Sequence, residues 1–222
     1  MNEQSLNTSS RWKRIFCFVM LFFYCSNMLN NPTIASVCNI LNIILVIVMI
    51  PDLVREAKKF GSDKKALLFI PLGAVAVVCL QWILWDEIIM KNITSAAGIT
   101  VSNANTGKMT EMIMKQPVFM GFMGCVYGPI LEEVLYRYTA FGVLYAKNKF
   151  SAYAVSSLLF GIQHVAEAAI WGGDTMQFIN MSSYIIAGLI FAFLYARTRN
   201  ICVPIGAHIL ANSFGLMMML CK

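Results

Sequence analysis

Charge is what this sequence lacks most. Asp, Glu, Lys and Arg make up 13% of its 222 residues, against 59% hydrophobic ones. Soluble domains carry roughly a quarter charged residues, so this balance excludes a water-soluble globule. No polar stretch is long enough to form a separate soluble domain. A bilayer core takes roughly 20 apolar residues per helix, and seven such spans would use nearly the whole chain as one membrane domain. No CxxC pair occurs, so Cys17, Cys25, Cys38, Cys79, Cys125, Cys202 and Cys221 read as small buried apolar side chains rather than disulfides or metal ligands. No small-residue cleavage site follows Arg11, Lys13 and Arg14, so the first apolar run reads as a retained span rather than a signal peptide. Internal repeats and low-complexity stretches are absent too. The net charge of +6 forms no face or stripe, because the basic residues fall between apolar runs; that argues against nucleic acid as a partner.

What is present is a series of apolar runs, approximately Ile15–Leu29, Thr33–Ile50, Ala66–Trp85, Val118–Tyr145, Ala152–Trp171, Phe178–Tyr195 and Ile201–Leu220. They predict an all-α fold, a polytopic transmembrane bundle of about seven spans, with six to eight compatible with the pattern. The short first run would leave six spans if it lay at the interface; Asn30-Asn31-Pro32 instead predicts a hairpin with the second. The chain then divides into a short cytoplasmic tail (1–14), three spans with a long outside loop (15–117) and a membrane core (118–220). Lys and Arg in alternate connectors orient the bundle. Twelve of them, from Arg11, Lys13 and Arg14 to Arg197 and Arg199, fall on the N-terminal side, and Lys91, Lys108, Lys115 and Lys222 on the other. The asymmetry predicts a multi-pass cell-membrane protein with a cytoplasmic N-terminus. The connector Asp86–Gln116 is the one long loop, marked as irregular by Ser95, Gly98, Asn103, Asn105 and Gly107, with Met109–Met114 suited to the membrane surface. Trp12, Trp82, Trp85 and Trp171 lie near span ends and read as interface anchors.

Against that background, the segment from Gly128 to Arg137 (GPILEEVLYR) stands out inside the fourth run. Glu132 and Glu133 lie about 15 residues from the boundary at Lys147, roughly 20 Å at 1.5 Å per residue. Each charge so deep costs about 2.5–3.5 kcal/mol, which makes it a functional hypothesis by default. Arg137 follows Glu133 by one turn and can pair with it. Glu132, turned about 100° away, can face a cavity. One Glu–Arg pair would suffice for packing; the second glutamate favours chemistry. Gly128-Pro129 should break or kink the helix and free backbone polar groups. Tyr136, one turn past Glu132, can bond to it or simply pack. Both histidines of the chain also lie inside spans: His164 four residues after Phe160, and His208 one turn before Asn212. A single intramembrane histidine is often only a helix–helix hydrogen bond. Two histidines, two carboxylates and an amide at overlapping depths point to a site. Glu167, three residues past His164, either extends it or sits solvated at the span end.

This set suffices for hydrolysis. A carboxylate and an imidazole can hold and deprotonate water, while a second histidine and an amide stabilise an oxyanion. No serine or cysteine stands in a nucleophile motif, and HExxH is absent, so no cofactor is expected. A zinc site on His164, His208 and Glu132 stays open as an alternative. Two other functions compete with the protease: a non-catalytic immunity or scaffold protein, and a proton-linked transporter, which the absence of repeats disfavours.

The same residues resemble the CAAX-protease and bacteriocin-processing family of intramembrane proteases, the type II CAAX prenyl endopeptidase kind. Its pattern is EExxxR, then FxxxH, then HxxxN or HxxxD. Here these are Glu132-Glu133 with Arg137, Phe160 with His164, and His208 with Asn212, all in order. The match covers residues 118–220, which become the catalytic core; the first three spans carry no motif. The resemblance implies a helical fold with a conical cavity open toward the cytoplasmic side, and peptide-bond cleavage there. It implies that Glu132 and His164 activate water, that His208 and Asn212 form the oxyanion hole, and that Glu133, Arg137 and Phe160 support them. The family includes proteins of bacteriocin self-immunity and peptide-pheromone processing. Compact loops and small size look bacterial, where a prenylated substrate is not expected. The implied partners are membrane lipids, a hydrophobic peptide or membrane-protein substrate, and a membrane partner protein.

Overall fold

A computed structural model describes residues 11–26 and 31–221. Among them are eight helices and no strand: α1 (Arg11–Ser26), α2 (Pro32–Ser62), α3 (Lys65–Ala96), α4 (Ala104–Lys115), α5 (Pro117–Tyr145), α6 (Lys149–Trp171), α7 (Gln177–Thr198) and α8 (Cys202–Leu220). The tail before residue 11 and the expected turn at Asn30 lie outside the described residues. Short polar side chains start five of these helices by accepting their first free N–H groups. Asn31 accepts from Thr33 and Ile34, Asp63 from Lys65 and Ala66, Asn103 from Thr106, Asn148 from Ser151, and Asn200 from Cys202.

Six helices, α2, α3 and α5 to α8, are long and apolar enough to cross a membrane. Helix α1 has 16 residues, about 24 Å at 1.5 Å per residue. It nevertheless packs against α2 and α5, burying Cys17, Met20 and Tyr24, and so joins the bundle as its seventh member. The two ends of the bundle are tied separately. At one, Lys13 pairs with Asp52, and Asn200 donates to the Glu56 carbonyl (2.8 Å). At the other, Trp85 donates to Ser182 and Lys108 pairs with Glu167 (2.6 Å). This grouping is the alternation that seven antiparallel spans require. Large apolar side chains such as Ile43, Ile47, Leu67, Leu68 and Phe193 point outward. In water such a surface would drive association; here it faces lipid.

Three expectations about the backbone change. Helix α2 continues through Pro51 to Ser62 instead of stopping near Ile50, and α3 reaches Ala96 rather than Trp85. Hydropathy fell at Asp52, Glu56 and Asp86, but those carboxylates turn inward: Asp52 to Lys13 and Arg55, Glu56 to Lys59, and Asp86 to Ser183. The long irregular loop shrinks to residues 97–103, followed by α4. Gly128-Pro129 does not break α5, since Gly128 keeps helical angles (φ −56°, ψ −55°). The helix instead widens into π-helical turns at Met123–Tyr127 and Glu133–Phe141. Wider turns let a chain pass a proline and re-aim side chains, and they recur at functional sites. Of the tryptophans, Trp12 and Trp171 are exposed as interface anchors would be, while Trp82 stacks on Phe214.

Small residues let α6 and α7 approach closely. A Cβ placed on Gly188 would lie 3.0 Å from the Ser157 Cα. Gly188→Ala should therefore push the helices apart and cost about 1–3 kcal/mol of stability, as overpacking does. Unfolding in mild detergent measures it; an unchanged midpoint would show that the contact can yield.

Candidate active site

Four of the five predicted catalytic side chains converge. Glu132 and Glu133 come from α5, His164 from α6 and His208 from α8. Glu133 is fully buried and bridges two partners. Its Oε1 lies 3.0 Å from His208 Nδ1, and its Oε2 3.3 Å from Arg137 Nε. The Arg137 contact has ion-pair separation without hydrogen-bond alignment. The guanidinium, also fully buried, donates to the Gly188 carbonyl (3.2 Å) and lies over the Phe160 ring at 4.3 Å and the Phe191 ring at 5.4 Å. Aromatic faces thus solvate part of a cation that has no water around it.

These contacts set both histidines the same way round. His164 Nδ1 lies 2.7 Å from the Phe160 carbonyl. A carbonyl can only accept, so Nδ1 carries the proton and Nε2 keeps its lone pair. Glu133, as a carboxylate, accepts a hydrogen bond from His208 Nδ1. Both Nε2 atoms then face Glu132: His164 at 4.0 Å from Oε1, His208 at 3.8 Å from Oε2. Tyr184 stacks on the His164 ring (4.2 Å) and Phe191 on that of His208 (4.4 Å). Phe160 touches both rings, which accounts for its place among the supporting residues. Glu133, where the π-helical stretch begins, lies against Arg137 and His208 Nδ1, while Glu132 just before it faces the Nε2 side of both histidines.

The fifth residue goes elsewhere. Asn212 donates to the Gly124 carbonyl at 2.9 Å. In the π-turn there, the Gly128 N–H bonds the Met123 carbonyl five residues back. Continued by one residue, that pattern would pair residue 129 with Gly124, but Pro129 has no N–H. Asn212 thus fills the vacancy that the proline creates. Asn212→Ala should cost about 1–3 kcal/mol through the orphaned carbonyl. Adding Pro129→Ala, which restores an N–H, should recover much of it. Equal stability of the single and double variants in thermal unfolding would overturn this.

Two alternatives left open by the sequence resolve. Glu167 stays exposed and pairs with Lys108 of α4, outside the cluster. Tyr136 does not bond Glu132 directly, but donates to Gln163 Oε1 (2.6 Å). The residue that sequence reasoning missed is Tyr24 of α1, whose hydroxyl donates to Glu132 Oε1 (3.2 Å). Nothing in the first run marked it, since a tyrosine among phenylalanines is ordinary there. Among the described residues, no three His, Cys, Asp or Glu side chains gather closely enough to hold a metal ion. The Nε2–oxygen gaps of 4.0 and 3.8 Å exceed the roughly 3.3 Å between two ligands of a tetrahedral zinc. The residues as arranged do not fit zinc.

The chain is similar to known membrane proteins. The family described as "Type II CAAX prenyl endopeptidase Rce1-like" matches residues 114–214. "Putative membrane peptidase YdiL" of Bacillus subtilis (strain 168) is 32% identical over 196 residues, 87% of this chain and 75% of that protein. "Membrane-embedded CAAX protease MroQ" of Staphylococcus aureus (strain USA300) is 28% identical over 78% of this chain and 66% of its own length. "UPF0177 protein YvdC" of Lactococcus lactis subsp. lactis (strain IL1403) is 27% identical over 54% of this chain and 42% of its own. No solved structure matches.

Proposed function

This chain belongs to the Rce1-like type II CAAX prenyl endopeptidase family of membrane proteases, and from that premise we propose that it cleaves peptide bonds within the membrane using water activated by Glu132 and His164. The observation that carries the reading is the pair of imidazole Nε2 atoms facing one carboxylate, each about 1 Å beyond hydrogen-bond distance. Groups spaced so can share a water.

Glu132 takes a proton from that water while His164 Nε2 accepts its other hydrogen. The hydroxide oxygen bonds the scissile carbonyl carbon. In this scheme His208, held at Nδ1 by Glu133, donates from Nε2 to the oxyanion, together with the Asn212 N–H not used on Gly124. Glu132 then returns its proton to the leaving amine as the C–N bond breaks. Glu133 and Arg137 hold His208 in place. No cofactor enters this scheme. The substrate is a hydrophobic or amphipathic peptide, such as a bacteriocin or pheromone precursor, or the tail of a membrane protein, and the N-terminus faces the cytoplasm.

The test compares peptide termini in membranes and medium from cells carrying wild type or Glu132→Gln at matched membrane levels. Termini present only with wild type support proteolysis and name the substrate. Identical profiles, with any phenotype intact in the variant, would leave a binding or immunity protein.

A further inference from the structure

The proposed base is held from the part of the chain that carries no motif. Tyr24 lies in α1, outside the region matched by the family. Its hydroxyl donates to Glu132 Oε1 (3.2 Å) and accepts from Gln163 Nε2 (2.6 Å); Gln163 Oε1 in turn accepts from Tyr136 (2.6 Å). The carboxylate sets the direction. Having no proton to give, it fixes Tyr24 as donor, and Tyr24's only hydrogen is then spent. Tyr24 must therefore accept from Gln163, which orients that amide and leaves its oxygen for Tyr136. Hydrogen bonds aligned head to tail polarise one another in a low-dielectric interior. The rings hold the chain in register: Tyr24 meets Tyr136 edge-on at 6.1 Å, and Tyr136 meets Phe160 at 5.5 Å. Helix α1 is anchored 11 residues earlier, where Lys13 pairs with Asp52 and donates to the Val48 carbonyl (3.2 Å).

We propose that Tyr24, Gln163 and Tyr136 form a positioning relay that turns the Glu132 carboxylate toward water and His164, and that α1 is thereby part of the active centre. The inference rests on Glu132 being the base. Tyr24 touches the carboxylate but not the reacting peptide, so it is a positioning residue.

The experiment measures kcat and KM on purified protein in detergent, with the peptide found by the terminus profile, for wild type, Glu132→Gln, Tyr24→Phe, Gln163→Met and the Tyr24→Phe/Gln163→Met double variant. Tyr24→Phe keeps the ring and removes only the hydroxyl. Each relay variant should lose about tenfold in kcat, the scale of a hydrogen bond to a charged group. KM and unfolding temperature should stay near wild type, and the double variant should be no slower than the slower single one. A merely structural role would lower unfolding temperature, and the two effects would multiply. Unchanged kcat in Tyr24→Phe and Gln163→Met, with Glu132→Gln inactive, would sink the relay and spare the base. An active Glu132→Gln would sink both.

Discussion

Glu132→Gln should lower kcat by about a thousandfold, within the range a positioned general base contributes. The substitution changes shape little and keeps an oxygen for Tyr24, so folding should survive. It removes the carboxylate that takes a proton from water and passes it to the leaving amine. His164, with Nδ1 held on the Phe160 carbonyl 2.7 Å away and Nε2 facing the same spot, remains as the weaker base that sets the residual rate. KM should move little, because the lost interaction belongs to the transition state. Rate and affinity are read from initial velocities at matched folded protein. A loss confined to KM would instead make Glu132 a substrate-binding group.

Arg137→Met should be the most damaging change to stability. Removal of one member of a buried pair leaves an uncompensated charge, at about 3–5 kcal/mol. That is a large share of the usual 5–15 kcal/mol total. Glu133 would keep only His208 as a partner inside a fully buried site. The double variant Glu133→Gln/Arg137→Met should be more stable than Arg137→Met alone, because no bare charge remains. Arg137→Lys should not rescue, since an ammonium cannot lie flat on Phe160 while reaching both Glu133 and the Gly188 carbonyl. Membrane level and detergent unfolding measure this. Equal loss in single and double variants would show that the pair is not energetically coupled.

The members of this site were legible for different reasons. Glu132, Glu133, Arg137, His164 and His208 announced themselves because a polar group in an apolar span has few reasons to be there. Tyr24 could not, because tyrosine is tolerated in spans and its target is 108 residues away. Asn212 was legible as polar but not as the partner of a carbonyl freed by Pro129, since that depends on a π-turn no local pattern announces. Asp52 and Glu56 misled the span boundaries because their charge was visible and their partners were not.

By itself the sequence determined that this is a helical membrane protein, about how many times it crosses, and which ionisable groups lie within the bilayer. Those follow from transfer free energy, which adds along the chain and needs no neighbours. Only the tertiary structure decided which nitrogen of each histidine faces Glu132, what Asn212 holds, how far α2 and α3 run, and that α1 reaches the centre. Each of these depends on hydrogen bonds between distant segments, and a buried polar group takes whichever partner the packing brings within about 3 Å.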